Sequence, residues 1–285
     1  MRHGVLLVDK PLRWTSHDCV QKVRSVLGER KVGHLGTLDP LAQGLLVLFV
    51  GSKALKVLEC FSDLPKTYAA EITLGKVSST YDSEGVVSAT GREPREFEGE
   101  QELQDLLRRR FVGSIEQVPP AFSAVKLSGV RAYSLARKGD VQRLTPRNVQ
   151  LRELEIIEYA YPKLLLSLCV SSGFYVRTLA HEVGELLQCG GYLSKLIRTA
   201  VGPWKLSDAV SPMEAEWSDV RPLCTILGGK ERLDVTDEEA AAICHGRSIE
   251  KRISGELFAW HEGKPIALLV RDPKIPGRAR PRKIL

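Results

Sequence analysis

The chain has 285 residues, with 41 Lys and Arg against 35 Asp and Glu and a formal net charge of +6. Its 43% of hydrophobic residues is enough for a core of ordinary size, which excludes a disordered chain. The longest apolar run, Leu45-Leu46-Val47-Leu48-Phe49-Val50, is too short to cross a bilayer, and Met1-Arg2-His3-Gly4 leads into too short a run for a secretory signal. At roughly 150 residues per domain, one large unit or a large and a small one is expected, in the cytoplasm. The six cysteines have neither zinc-site spacing nor the density of a disulfide scaffold, and are expected to be buried thiols.

The charge is unevenly spread. Residues 271–285 carry six basic side chains and one acid, Asp272, so the tail accounts for +5 of the +6. Residues 126–152 hold seven basic side chains against Asp140 alone, whereas residues 81–105 hold eight acids against Arg92 and Arg95. Such separation suits a polyanion-binding surface on one side and a solvated acidic face on another.

In chain order, Gly4-Val5-Leu6-Leu7-Val8 reads as a strand that ends at Asp9-Lys10-Pro11. Thr15 and Ser16 offer N-caps to a helix with Val20, Val23 and Leu27 on one face and Gly28 at its end. Residues 33–40 are too polar and glycine-rich for either element and read as a loop over the buried run 45–50. Residues 68–74 alternate like a strand, residues 75–85 form a turn region, and residues 102–111 form a helix through Leu103, Leu106, Leu107 and Phe111. Two strands follow at 149–161 and 164–170, then a helix through Leu179, Val183, Leu186 and Leu187, stopped by Cys189-Gly190-Gly191. A helical segment is expected over 212–227, and Gly228-Gly229 is the best domain boundary. Beyond it come an acidic helix at 236–244 and strands at 256–260 and 266–270.

Several motif matches fail. Ser123-Ala124-Val125-Lys126 has Ser-x-x-Lys spacing without the partner motifs of an acyl enzyme. His181-Glu182 begins a zinc-binding helix pattern, but Glu185 stands where the second histidine is needed. Gly33 and Gly36 lack the spacing of a nucleotide fingerprint. The loop that remains is Gly33 to Asp39. A carboxylate before Pro40 and a long apolar run is held at a junction between loop and core, where it can serve as nucleophile or base. On spacing alone the commoner reading is that Asp39 turns the chain, as Asp-Pro often does.

The run Gly33-His34-Leu35-Gly36-Thr37-Leu38-Asp39-Pro40-Leu41-Ala42-Gln43-Gly44-Leu45-Leu46 closely resembles the catalytic motif of the TruB family of tRNA pseudouridine synthases. The resemblance extends to Gly4 through Pro11, to Lys66-Thr67-Tyr68, to Asp82-Ser83-Glu84-Gly85 and to Val118-Pro119-Pro120-Ala121-Phe122-Ser123-Ala124-Val125-Lys126. It continues in Ser172-Gly173-Phe174-Tyr175-Val176-Arg177-Thr178-Leu179 and Leu196-Ile197-Arg198-Thr199, in the family's order to about residue 205. Gly51-Ser52-Lys53-Ala54-Leu55-Lys56 departs from the pattern by one extra residue, and no role is carried to Lys53 or Lys56.

The resemblance implies an α+β fold with a mixed, mainly antiparallel sheet flanked by helices over residues 1–228, and a small β-rich PUA-like domain over residues 229–285. It implies isomerisation of uridine to pseudouridine at position 55 in the tRNA T-arm, by a monomer needing no cofactor or metal. Asp39 would be the essential carboxylate, Tyr68 would stack on the target uracil, and Arg177 would pair with Asp39. Leu196 would line the pocket, His34 would contact the RNA where the base leaves its stack, and Asp82 would orient Arg177. Lys126 opens the basic stretch that would track phosphates, and the C-terminal domain would bind the acceptor side of tRNA or act only as a stabilising cap. Two other readings remain: a guide-RNA-dependent homologue acting on ribosomal RNA, against which the short C-terminal domain and lack of Lys-rich extensions argue, and an RNA-folding chaperone whose main work is binding.

Overall fold

The structure, a computed structural model, describes residues 3–118, 120 and 145–285, together with the backbone of 126–127 and 130–131. In chain order its elements are β1 (Gly4–Lys10), α1 (Ser16–Leu27), β2 (Val32–Leu35), β3 (Ala42–Val50), α2 (Ser52–Val57), β4 (Lys66–Leu74), β5 (Lys76–Ser78), β6 (Val87–Ala89), α3 (Glu100–Phe111) and β7 (Gly113–Gln117). After β8 (Lys126–Leu127) and β9 (Val130–Arg131) come β10 (Arg147–Ala160), β11 (Lys163–Val170), α4 (Val176–Leu186), β12 (Gly191–Val201), β13 (Trp204–Lys205), β14 (Arg221–Pro222) and α5 (Leu223–Leu227). The chain closes with β15 (Arg232–Asp234), α6 (Asp237–Cys244), β16 (Leu257–His261), β17 (Lys264–Arg271) and β18 (Ala279–Ile284).

Ten strands form the main sheet among the described residues, in the order β14-β1-β3-β12-β4-β11-β10-β7, with β2 on β3 and β13 on β12. Its pairs are antiparallel except β12 with β3, which run parallel at Leu196–Ala42, Ile197–Gln43 and Arg198–Gly44. The fold is thus α+β with a mixed, mainly antiparallel sheet, as the resemblance implies. A second sheet, β15-β16-β17-β18, lies after the Gly228-Gly229 pair.

The apolar run in β3 follows from burial on both faces of the sheet. Leu45, Val47 and Phe49 enter one cluster with Val5 and Leu7 of β1, while Leu46, Leu48 and Val50 enter another with Leu6, Val8 and the Val20, Val23 and Leu27 face of α1. By contrast, β11 has one fully buried face, carrying Leu164, Leu166, Leu168 and Val170, and these pack with α3 and α4. At the start of α1, the Thr15 hydroxyl accepts from the Asp18 amide and the Asp18 carboxylate accepts from the Thr15 amide, a complete capping box.

Three expectations are corrected. Residues 32–35 form an edge strand, because His34 and Leu35 pair with Leu48 and Val47 of β3, and a ladder satisfies this backbone better than an open loop. Residues 212–227 are not one helix. They contain a 3-10 turn at Trp217–Asp219, then β14 and the five-residue α5, and Pro222, which cannot donate to a helical ladder, marks the break. The cysteines are not uniformly buried, since Cys19 and Cys189 are enclosed but Cys224 and Cys244 are exposed.

The C-terminal sheet shares a core with the main sheet. Phe258, Trp260 and Leu268 pack in one cluster with Val5, Phe49, Phe61, Trp204, Leu223 and Leu227. Around it, Lys56 donates to the Ile284 carbonyl at 2.6 Å, Arg282 and Lys283 pair with Glu59, and Lys230 lies 4.9 Å above the Phe61 ring. Part of the basic tail is therefore spent within the molecule.

Candidate active site

Asp39 sits in the connection between β2 and β3, and the surrounding contacts fix that connection closely. The Ser16 hydroxyl donates to the Leu38 carbonyl at 3.0 Å and accepts from the Leu38 amide at 2.8 Å. Arg198, 1% exposed on β12, donates from Nε to the Leu45 carbonyl at 2.7 Å and from Nη2 to the Gly36 carbonyl at 3.0 Å, so one guanidinium holds backbone on both sides of Asp39. Gly44 has φ +94°, and a Cβ there would lie 2.5 Å from the Arg198 carbonyl, so the close parallel pairing of β3 with β12 requires glycine.

Arg177 is the second residue of α4 and is buried. Its helix starts where β7 supplies a partner: the Gln117 side chain accepts from the Tyr175 amide at 2.9 Å and donates to the Tyr175 carbonyl at 3.2 Å. The guanidinium reaches Asp39 at 3.0 Å through Nη2 and Asp82 at 3.1 Å through Nη1. One cation at a helix N-terminus is unfavourable with respect to the helix dipole, and two carboxylates reverse that balance.

Asp82 is 1% exposed and lies in the turn after β5. Its other oxygen accepts from the Thr80 hydroxyl at 2.5 Å and the Glu84 amide at 3.0 Å, so both carboxylate oxygens are hydrogen-bonded. The turn is tied to β12 by the Leu193 amide, which donates to the Tyr81 carbonyl at 3.0 Å.

Although 44% of the Asp39 side chain is open, the surrounding protein desolvates its carboxyl. This burial pushes Asp39 above the usual carboxylate range; Arg177 pulls it back, Asp82 raises it again and Lys10 lowers it. Glu84 is also raised, by burial and then by Asp82 and Asp39. The site thus gathers three carboxyls, Asp39, Asp82 and Glu84, against two cations, Arg177 and Lys10.

The other expected residues take the following places. Tyr68 lies on β4, partly buried against the cluster that contains Leu38, Leu41 and Leu196. Leu196 sits on β12 with Ala42 on one side and Ala70 on the other. His34 is on β2 with Nε2 3.0 Å from the Thr37 hydroxyl. Lys126 has its backbone in β8, paired with Arg131, but its side chain and most of the 126–152 stretch lie outside the described residues. Arg147 and Arg152, at the described end of that stretch, are exposed on β10.

Two charged residues without an assigned role prove central. Lys10, fully buried at the end of β1, donates to the Pro11 carbonyl at 3.0 Å and the Trp14 carbonyl at 2.5 Å; burial lowers its pKa, against the pull of Cys19 and Asp39. Arg198 is the loop clamp described above. Each sits in a largely apolar strand beside one exposed charge, Asp9 in β1 and Lys195 in β12, and buried charges are rare unless partnered.

A match to the N-terminal domain of the TruB family pseudouridylate synthases spans residues 24–176. The chain is 37% identical to tRNA pseudouridine synthase B of Shouchella clausii, across 98% of this chain and 96% of that protein. It is 36% identical to tRNA pseudouridine synthase B of Geobacillus thermodenitrificans, across 99% of both. In three dimensions it is similar to a chain in the crystal structure of a Cbf5-Nop10-Gar1 complex, with a TM-score of 0.73, covering 99% of this chain and 84% of that one, at 23% identity.

Proposed function

This chain belongs to the TruB family of pseudouridylate synthases, and from that premise we propose that it converts uridine to pseudouridine at position 55 in the T-arm of tRNA, with Asp39 acting on a base flipped out of its stack. The observation that carries this reading is the 3.0 Å pair between Arg177 and Asp39, backed at 3.1 Å by the buried Asp82.

The reaction breaks the N1–C1′ bond, turns the uracil within the pocket and joins C5 to C1′; C5 loses its proton and N1 gains one, so substrate and product are isomers. The step needs an ionised carboxylate where water is scarce. Burial opposes ionisation, and the guanidinium opposes burial. Arginine suits the task because it stays charged and its planar fork fixes the direction of the carboxylate it holds. The clamp on the Gly36 and Leu45 carbonyls keeps the loop from following the substrate as it moves.

Extruding a base costs a few kcal/mol, which stacking and edge contacts return. Tyr68 offers the ring face, with about 1–3 kcal/mol expected from such a stack. Leu196 closes the apolar side of the pocket, and His34 meets RNA at its entrance. The basic stretch from Lys126 to Arg152 supplies phosphate contacts, with the exposed Arg271 and Arg280 of the C-terminal sheet and Lys274 between β17 and β18 reaching toward the acceptor side. Names of full-length relatives at 36–37% identity favour tRNA as substrate over a guide-dependent reaction.

The test is tritium release from C5-labelled uridine in a bare T-arm hairpin, with no guide RNA. Release by the wild-type protein and its loss in Asp39→Asn with retained tRNA binding is the expected result. Undiminished release by Asp39→Asn removes Asp39 from the mechanism, and release that requires a guide RNA removes the stand-alone reading.

A further inference from the structure

The turn that carries Asp82 grips α4 at two places. Asp82 reaches Arg177, and the preceding residue, Tyr81, lies face to face with His181, with ring centroids 4.2 Å apart and planes 8° from parallel. His181 stands four residues after Arg177 and so projects from the same face of the helix, one turn further on. Tyr81 has φ +63°, a left-handed conformation that a bulky side chain adopts only where its surroundings hold it. The other bonds of Asp82, to the Thr80 hydroxyl and the Glu84 amide, lie within the turn and move with it. The Leu193 amide ties the turn to β12 rather than to the helix. The ring stack is therefore a direct side-chain contact of the turn with α4 beside the Asp82–Arg177 pair, in addition to the indirect hold through β12.

We propose that Tyr81 and His181 are positioning residues, a stacked clasp that sets the Asp82 turn against α4 and thereby fixes the direction in which Arg177 holds Asp39. The proposal rests on the reading of Asp39 as the reacting carboxylate. A clasp of this kind needs two flat faces, and burial lowers the His181 pKa, against the upward pull of Glu185, which favours the uncharged ring. The groups that bear on Asp39 itself are Arg177, Asp82 and Lys10, with Glu84 beside them. If the turn shifts along the helix, Asp82 no longer braces Arg177 from behind, and the guanidinium follows one carboxylate instead of standing between two.

Tritium release from labelled tRNA, followed across pH, tests the clasp with Tyr81→Gly, His181→Ala and His181→Phe, and with Asp39→Asn in parallel. Glycine accepts the φ of residue 81 without strain, so Tyr81→Gly removes the ring and not the turn. The expected result is a kcat about 10- to 100-fold lower in Tyr81→Gly and His181→Ala, the scale set by small misplacement of a reacting group. The KM for tRNA stays near wild type, because an interaction felt only in the transition state is lost. The acid limb of kcat moves to higher pH in both, since a misdirected Arg177 lowers Asp39 less, and His181→Phe, which keeps a flat ring, recovers most of the rate and the limb.

Wild-type kcat and acid limb in both ring-removing variants would overturn the proposal, as would equal losses in His181→Phe and His181→Ala. A lowered melting temperature with unchanged kcat assigns the stack a structural role only and also overturns it. Should Tyr81→Gly not fold, the two His181 variants decide. An active Asp39→Asn removes the reading of the site, whereas an inactive Asp39→Asn with a fully active His181→Ala removes the clasp alone.

Discussion

The Arg177 guanidinium lies 3.0 Å from the Asp39 carboxylate, yet burial still holds Asp39 above the usual carboxylate range. Attraction and desolvation are set against one another at the reacting group. The second carboxylate, Asp82, shares the same cation and adds a smaller upward push.

A pH dependence follows from this balance. Activity requires the ionised form, so kcat falls on the acid side with a midpoint above the ordinary aspartate value of 3.8. Lys10 lowers Asp39, so Lys10→Met moves the limb to still higher pH. Single-turnover rates measured across pH check both statements.

The same shift makes a statement about stability. A carboxyl whose folded pKa is raised binds its proton more tightly in the folded state, so stability falls as pH rises from 3.8 through the raised value. Asparagine at position 39 does not suffer that loss. Asp39→Asn is therefore expected to be inactive but at least as stable as the wild type at pH 7, as read by urea unfolding.

Lys66 gives the opposite sign. Burial, with Arg198 adding to it, lowers the Lys66 pKa from 10.5 to about 8, although its ammonium donates to the Ser62 carbonyl at 2.9 Å. The unfolded chain then binds more protons between pH 8 and 10.5, so stability rises with pH across that window. Compared with Lys66→Met, wild-type stability should gain over that window, as measured by denaturant midpoints at several pH values.

Arg198→Met removes both donors that hold the Asp39 loop. The buried Leu45 carbonyl loses a charged partner, at about 1–3 kcal/mol, and the exposed Gly36 carbonyl loses less because water can replace the guanidinium there. The variant should unfold at lower urea and show a reduced kcat, because the loop that carries Asp39 is released at both ends.

Across the two sheets, Phe258→Ala should cost about 3–5 kcal/mol, because its ring lies in the cluster shared with Phe49 and Trp204. Calorimetry should show a single transition that moves as a whole. Glu59→Gln, which loses only exposed pairs with Arg282 and Lys283, should move it far less.

Where structure depends on near neighbours, it was legible in the chain. The capping box of Thr15 and Asp18, the alternation in β11 and the stop after α4 each involve groups a few residues apart, and local chemistry specifies them. The Asp-Pro loop could be singled out as a junction of polar loop and apolar run. Its pairing with Arg177 came only through the resemblance, since no local rule connects residues so distant in the chain.

What the tertiary structure alone decided concerns edges and buried charge. Residues 32–35 become a strand because β3 presents an open edge to them, and residues 212–227 break into short pieces because Val220, Leu223 and Leu227 answer to different clusters. Lys10, Lys66 and Arg198 carry no role in the sequence reading, and all three are buried. Lys10 and Lys66 find acceptors close by in the chain, at Pro11, Trp14 and Ser62, whereas Arg198 meets the Leu45 carbonyl only once the strands are paired. The amino-acid sequence by itself determined the elements whose signals are local and which family chemistry is on offer. Packing decided which charges lose their water, and hence how Asp39 is poised.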